Sequence, residues 1–89
     1  MITWDETKRQ INLRKHKIDL AALESVFSHP MISVEDDRER YGELRLQSLG
    51  MWQGRVIFRV WTPRSDDTAH LISCRYVDRK DTNDYFSSL

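Results

Sequence analysis

Cysteine, proline, glycine and net charge are all scarce in this chain of 89 residues, and each shortage closes off a class of protein. The single cysteine, Cys74, has no internal partner, so the fold is not a disulfide-stapled secreted scaffold. Two prolines and three glycines leave no linker, repeat or low-complexity tract. The apolar runs, around Val56 and Leu71, fall far short of the ~20 residues a membrane span needs. The N-terminal Met-Ile-Thr-Trp-Asp-Glu has no basic stretch followed by an apolar core, so no secretory signal is read there and a cytoplasmic location is expected. Fourteen basic side chains balance fourteen acidic ones. Sequence-independent nucleic-acid binders are usually basic overall, so any binding of that kind needs cations gathered on one face.

What is present describes one folded domain, residues 1–89. Apolar residues at 39% and charged residues at 31% are too apolar for a disordered chain and too polar for a membrane protein. A domain of this size buries only roughly 60–65% of its unfolded surface, so its core is thin and a partner protein would reinforce it.

Residues 2–4 read as a short strand. Asp5 suits a helix N-cap and Glu6 the positive first turn of a helix over 6–16. Asp19 caps a second expected helix, in which Leu20, Leu23, Val26 and Phe27 form an apolar stripe that Pro30 ends. The pattern then changes period. Strands are expected over 31–34, 43–49, 55–62 and 68–77, with a polar connection at 36–42 and turns at 50–54 and 63–67. Asp78 caps a short last helix carrying Tyr85 and Phe86. The fold class is therefore α+β: an antiparallel sheet with two N-terminal helices packed on one face and a short C-terminal helix.

Strand alternation decides where the charges go. With Leu44, Leu46, Val56, Phe58 and Val60 under the helices, the opposite face carries Glu43, Arg45, Arg59 and Trp61. For the last strand the phase with Arg75 and Ser73 outward is preferred, because Arg75 is the costliest residue there to bury. A neutral chain then still owns a local positive surface. The bland alternative is a solvated sheet face on which Glu43 pairs with Arg45 or Arg59.

Several strings, in order along nearly the whole chain, resemble one family. They are Trp4-Asp5, Asn12-Leu13-Arg14-Lys15-His16, Val26-Phe27 with Pro30, Glu43-Leu44-Arg45 with Gly50, Val60-Trp61-Thr62, Ile72-Ser73-Cys74-Arg75 and Tyr85. Together they resemble the BrnT toxins, the ribonuclease half of bacterial type II toxin–antitoxin pairs. Tyr76 departs from a frequent lysine, Lys17 from a glycine that usually ends the first helix, and Asp81 from a glutamate. The resemblance implies a RelE-like fold and metal-independent RNA cleavage that blocks translation. It implies no cofactor, neutralisation by a ribbon-helix-helix antitoxin of the BrnA kind, and operator DNA bound only through that antitoxin. A second reading keeps the fold and the antitoxin but makes the chain a weak or inactive module that serves as corepressor.

Cleavage without metal uses the substrate's 2′-hydroxyl as nucleophile. It needs a base, cations on the phosphorane and an acid for the leaving oxygen. Arg45 and Arg75 are the first candidates for the cations, since a guanidinium fork matches phosphate oxygens. Glu43 and His16 are the candidates for base and acid, against plain roles as ion-pair partner and helix-closing cation. Arg59, Trp61, Lys15 and Tyr85 are expected to bind RNA, Trp61 and Tyr85 by stacking unless they pack the core. His29, His70 and Cys74 show no metal-ligand spacing. The acidic run of Asp36, Asp37 and Glu39, interleaved with Arg38 and Arg40, reads as a solvated loop rather than a calcium site.

Overall fold

The computed structural model describes residues 1–65 and 67–87, leaving out the side chain of Tyr85. In chain order it has β1 (Ile2–Trp4), α1 (Glu6–His16), two 3-10 turns at Leu20–Ala22 and Glu24–Ser28, β2 (Met31–Glu35), β3 (Leu46–Trp52), β4 (Arg55–Arg64), β5 (Thr68–Tyr76) and α2 (Arg79–Ser87). The strands form one sheet in the order β1-β5-β4-β3-β2. The pairs among β2, β3, β4 and β5 are antiparallel, but β1 runs parallel to β5, so the sheet is mixed rather than wholly antiparallel. The segment after β1 leaves one edge of the sheet, crosses its face and enters β2 at the other edge. No described helix is long and apolar enough to cross a membrane.

Helix α1 begins where expected. Asp5 accepts a hydrogen bond from the Lys8 amide at 3.0 Å, and Arg14, Lys15 and His16 occupy the negative last turn. The helix has almost no apolar face; Ile11 and Leu13 are exposed. Polar side chains hold it instead. Arg9 grips Asp19 through two bonds of 2.7 and 2.9 Å, and Asn12 is buried. It ends at Lys17, whose φ of 63° is left-handed and whose amide closes on the Leu13 carbonyl.

The second expected helix is replaced by the two 3-10 turns. Leu20, Leu23 and Val26 stand three residues apart, and a turn of three residues brings them into one line. All three are buried against Ile18, Ile57, Trp61, Leu71 and Cys74. Each such side chain stabilises the fold by roughly 1.5–3 kcal/mol.

Strand β4 is central and buried on both sides. Ile57, Arg59 and Trp61 face the N-terminal layer; Val56 packs on the other side with Val77, Leu49, Met51, Phe58 and Ile32. The parity expected for this strand is therefore reversed, since Val56 and Phe58 lie away from the helical layer. Strand β3 also starts later than expected, at Leu46, and Leu44 lies outside it, 48% exposed. Helix α2, with the Asp78 side chain capping the Asp81 amide at 2.8 Å, covers one end of the second face, where Thr82 and Phe86 line a cleft with Met51 and Val56. On the remainder of that face Val60 and Thr62 are buried, while Ser73 and Arg75 of β5 keep access to solvent.

The β4–β5 ladder contains a bulge. Val60 pairs with Ser73 and Trp61 with Leu71, so Ile72 is an extra residue. Asn12 fixes β5 beside the irregularity: its Oδ1 accepts the Cys74 amide at 3.0 Å while its Nδ2 donates to the Ile18 carbonyl at 2.9 Å. One buried side chain thus ties α1, the chain after it and β5 together.

Candidate active site

The bulge sets which side chains reach the open face. Arg75 pairs with Phe58, Ser73 with Val60, His70 with Thr62 and Thr68 with Arg64. Since Phe58, Val60, Thr62 and Arg64 alternate to one side of β4, their partners share that side. Without the extra Ile72, alternation from Arg75 would send His70 to the covered face.

Arg75 is exposed, with its guanidinium 4.7 Å from the Phe58 ring. His16 stands at the rim beside it, half-buried at the end of α1. Burial, then the nearby cations Lys15 and Arg75, lower its pKa from the ordinary histidine value. A small groove of about 160 Å³ runs between α1 and β5, lined by Lys8, Lys15, His16 and Ser73 among others.

A second group lies toward the other end of the same face. Glu43 accepts from Arg45 at 3.3 Å and faces Arg64 at 3.7 Å, and the Arg45 guanidinium lies 3.9 Å from the Tyr41 ring. The connection carrying these residues is ordered by Asp36, whose buried carboxylate is gripped by Arg38 through two bonds of 2.8 Å. That pair holds the Asp36 pKa down at about 2. Asp36 is thus not part of the solvated loop expected there; with Arg38 and the adjacent Tyr41 hydroxyl it anchors it. The Thr62 hydroxyl donates to the Leu44 carbonyl and pins the loop to β4.

His70 belongs to this second group. Its Nδ1 and the Thr3 hydroxyl are 2.8 Å apart across the β1–β5 pair. Burial and the Arg64 charge lower its pKa, opposed by Glu43. Sequence reasoning weighed His70 only as a metal ligand and missed its place on this face. Among the described residues no group of three or more His, Cys, Asp or Glu is placed to hold a metal ion.

The remaining expected RNA-binding residues divide. Lys15 is exposed on the α1 rim. Arg59 and Trp61 are not on the open face. Arg59 is 0% exposed, its guanidinium 4.7 Å from the Phe27 ring and 2.8 Å from the Met31 sulfur. Trp61 donates to the Ser48 hydroxyl at 2.9 Å and meets Phe27 edge-on. Both are core residues because β4 turns its odd-numbered side chains toward the N-terminal layer. The Tyr85 side chain lies outside the described residues. Cys74 is buried, and burial pushes its thiol up to about 12, which leaves it protonated and unreactive.

Arg45 precedes the Leu46–Trp61 rung and Arg75 sits on the Phe58 rung, two strands away. Strand geometry separates their Cα atoms by about 16 Å, too far for one phosphate but within a short single-stranded segment. The open face therefore presents two cationic points, each with a histidine nearby.

The family model described as the ribonuclease toxin BrnT of type II toxin–antitoxin systems matches residues 4–81. The fold is similar to the crystal structure of the Brucella abortus ribonuclease toxin BrnT, with a TM-score of 0.66 and 30% sequence identity over 88% of this chain and 96% of that one. No match is found among curated proteins.

Proposed function

The chain belongs to the BrnT family of ribonuclease toxins of type II toxin–antitoxin systems, and from that premise we propose that it cuts RNA across the open face of its sheet, without metal and with a RelE-like disposition of groups. The observation that carries the reading is the presence of Arg45 and Arg75 on that one face, with Glu43 bonded to Arg45 and His16 beside Arg75. The two guanidiniums hold successive parts of an RNA strand and neutralise charge as the phosphorane forms. Glu43 orients Arg45 and Arg64, and Lys15 extends the cationic track along α1. The histidines are the groups able to move protons near neutral pH.

Cleavage of cytoplasmic RNA blocks translation, and a ribbon-helix-helix antitoxin of the BrnA kind neutralises the toxin and carries the pair to operator DNA. The mutational test is Arg75→Ala. Cleavage of a defined RNA in EDTA is expected to fall 10²–10³-fold, as on loss of one oxyanion donor. The melting temperature should stay within a few degrees, because Arg75 is exposed. Undiminished cleavage by the folded variant would remove Arg75 from the mechanism. Loss of wild-type cleavage in EDTA, restored by a divalent ion, would remove metal independence.

A further inference from the structure

The geometry points to His70 as the general base of the cleavage reaction, with Arg64 as a further phosphate-binding cation; this rests on the ribonuclease reading above. Three observations carry it. First, the extra residue at Ile72 turns His70 onto the same face as Ser73 and Arg75. Second, the ring is oriented. Its Nδ1 is held by the Thr3 hydroxyl at 2.8 Å, and the register pairs Thr3 with His70, so the contact is fixed by two paired strands and not by a loop. In the tautomer whose Nδ1–H donates to the Thr3 oxygen, Nε2 is left as the proton acceptor. Third, the ring has charged neighbours of the kind a phosphodiester needs. Arg64 lies on the next rung but one of the same face, about 7–8 Å away at Cα. Glu43 bridges Arg64 and Arg45.

The groups facing the ring come from every element around it: Arg64 of β4, Glu43 of the connection before β3, Lys8 of α1 and Asp5 at its cap. Burial and Arg64 dominate, and they favour the neutral ring, which is the form a base requires at neutral pH.

In the reaction, Nε2 of His70 takes the 2′-hydroxyl proton as the O2′–P bond forms. The P–O5′ bond breaks, and the 5′ oxygen takes a proton from water. The products are a 2′,3′-cyclic phosphate and a 5′-hydroxyl end; His70 returns its proton to solvent.

The experiment measures kcat/KM against pH from 5 to 9 on a short RNA for the wild type, His70→Asn and Thr3→Val, while NMR follows the titration of each histidine in the wild type. The wild type should show an acid limb whose midpoint coincides with the titration of His70 and not of His16. His70→Asn should lose 10²–10⁴ in rate, together with that limb. Thr3→Val should displace the limb with a smaller loss, and free imidazole should partly restore His70→Ala. A His70→Asn protein that cuts with the wild-type rate and limb would overturn the assignment. So would an acid limb that follows His16, a result that holds even where the variants fail to fold. A wild type that leaves RNA intact would overturn the ribonuclease reading itself, and the assignment with it.

Discussion

Arg59 and Arg75 occupy neighbouring rungs of the same two strands, Arg59 opposite Cys74 and Arg75 opposite Phe58, yet one is sealed in the core and the other meets solvent. The difference lies in what covers each face. On the covered side Phe27 and Met31 close over the guanidinium, and Gly50 makes room for it. A Cβ at Gly50 would lie 3.0 Å from an Arg59 nitrogen. On the open side α2 covers only the Met51–Val56–Val77 end, and Arg75 keeps its access. Residue type alone therefore does not separate a structural arginine from a reactive one; the layer above it does.

The sharpest way to break this comparison is to truncate the covered member. Arg59→Ala removes a fully buried side chain whose stem and guanidinium fill space between Phe27, Met31 and Ser48, and is expected to cost about 3 kcal/mol of stability by urea denaturation. Arg59→Met, which refills the space without the charge, should lie much closer to the wild type. Cleavage per folded molecule should be unchanged in Arg59→Met. A folded Arg59→Met with 10²-fold lower cleavage would mean that the covered face contributes to the reaction.

The second break is at the joint between the faces. Asn12 satisfies the Cys74 amide and the Ile18 carbonyl from one side chain. Asn12→Ala leaves two buried backbone groups without those partners and should cost about 2 kcal/mol. Because the Cys74 amide lies between Ser73 and Arg75, two residues from the bulged Ile72, cleavage by the folded fraction should fall as well. A stability loss with full specific activity would show that the phase of β5 survives without Asn12.

These two arginines also show how far the sequence could be read. Arg75 was legible because a charged residue in a mostly apolar strand resists burial. Arg59 was not, since the same argument sends it to water. The contrary signal was the run from Val56 to Thr62, which has one charge in seven residues and belongs to a central strand covered on both sides. The caps at Asp5, Asp19 and Asp78 were readable from local chemistry. The 3-10 turns were latent in the threefold spacing of Leu20, Leu23 and Val26. The parallel seat of β1 was not readable, because it depends on partners more than 60 residues away, and the bulge was not, because only the pairing of β5 with β4 defines it. His70 was lost with the bulge: its face is set by Ile72, and no local pattern announces an inserted residue.

The smallest expected effect concerns strain, and it too separates the faces. Lys17 closes α1 at φ 63°, a conformation that costs a residue with a Cβ about 1 kcal/mol and costs glycine little. The strained residue adjoins His16, at the rim of the open face, whereas Gly50 relieves crowding on the covered side. Lys17→Gly should therefore raise stability by about 0.5–1 kcal/mol, partly offset by the greater freedom of glycine in the unfolded chain. Among the described residues the side chain itself donates only to the exposed Arg14 carbonyl, so little is lost with it. Urea midpoints measure the gain, and RNA cleavage by the same protein gives the comparison its second axis. Higher stability with unchanged cleavage makes the strain an incidental feature of this chain. Higher stability with slower cleavage makes the lysine part of the cationic rim, kept at a cost to the helix that carries it.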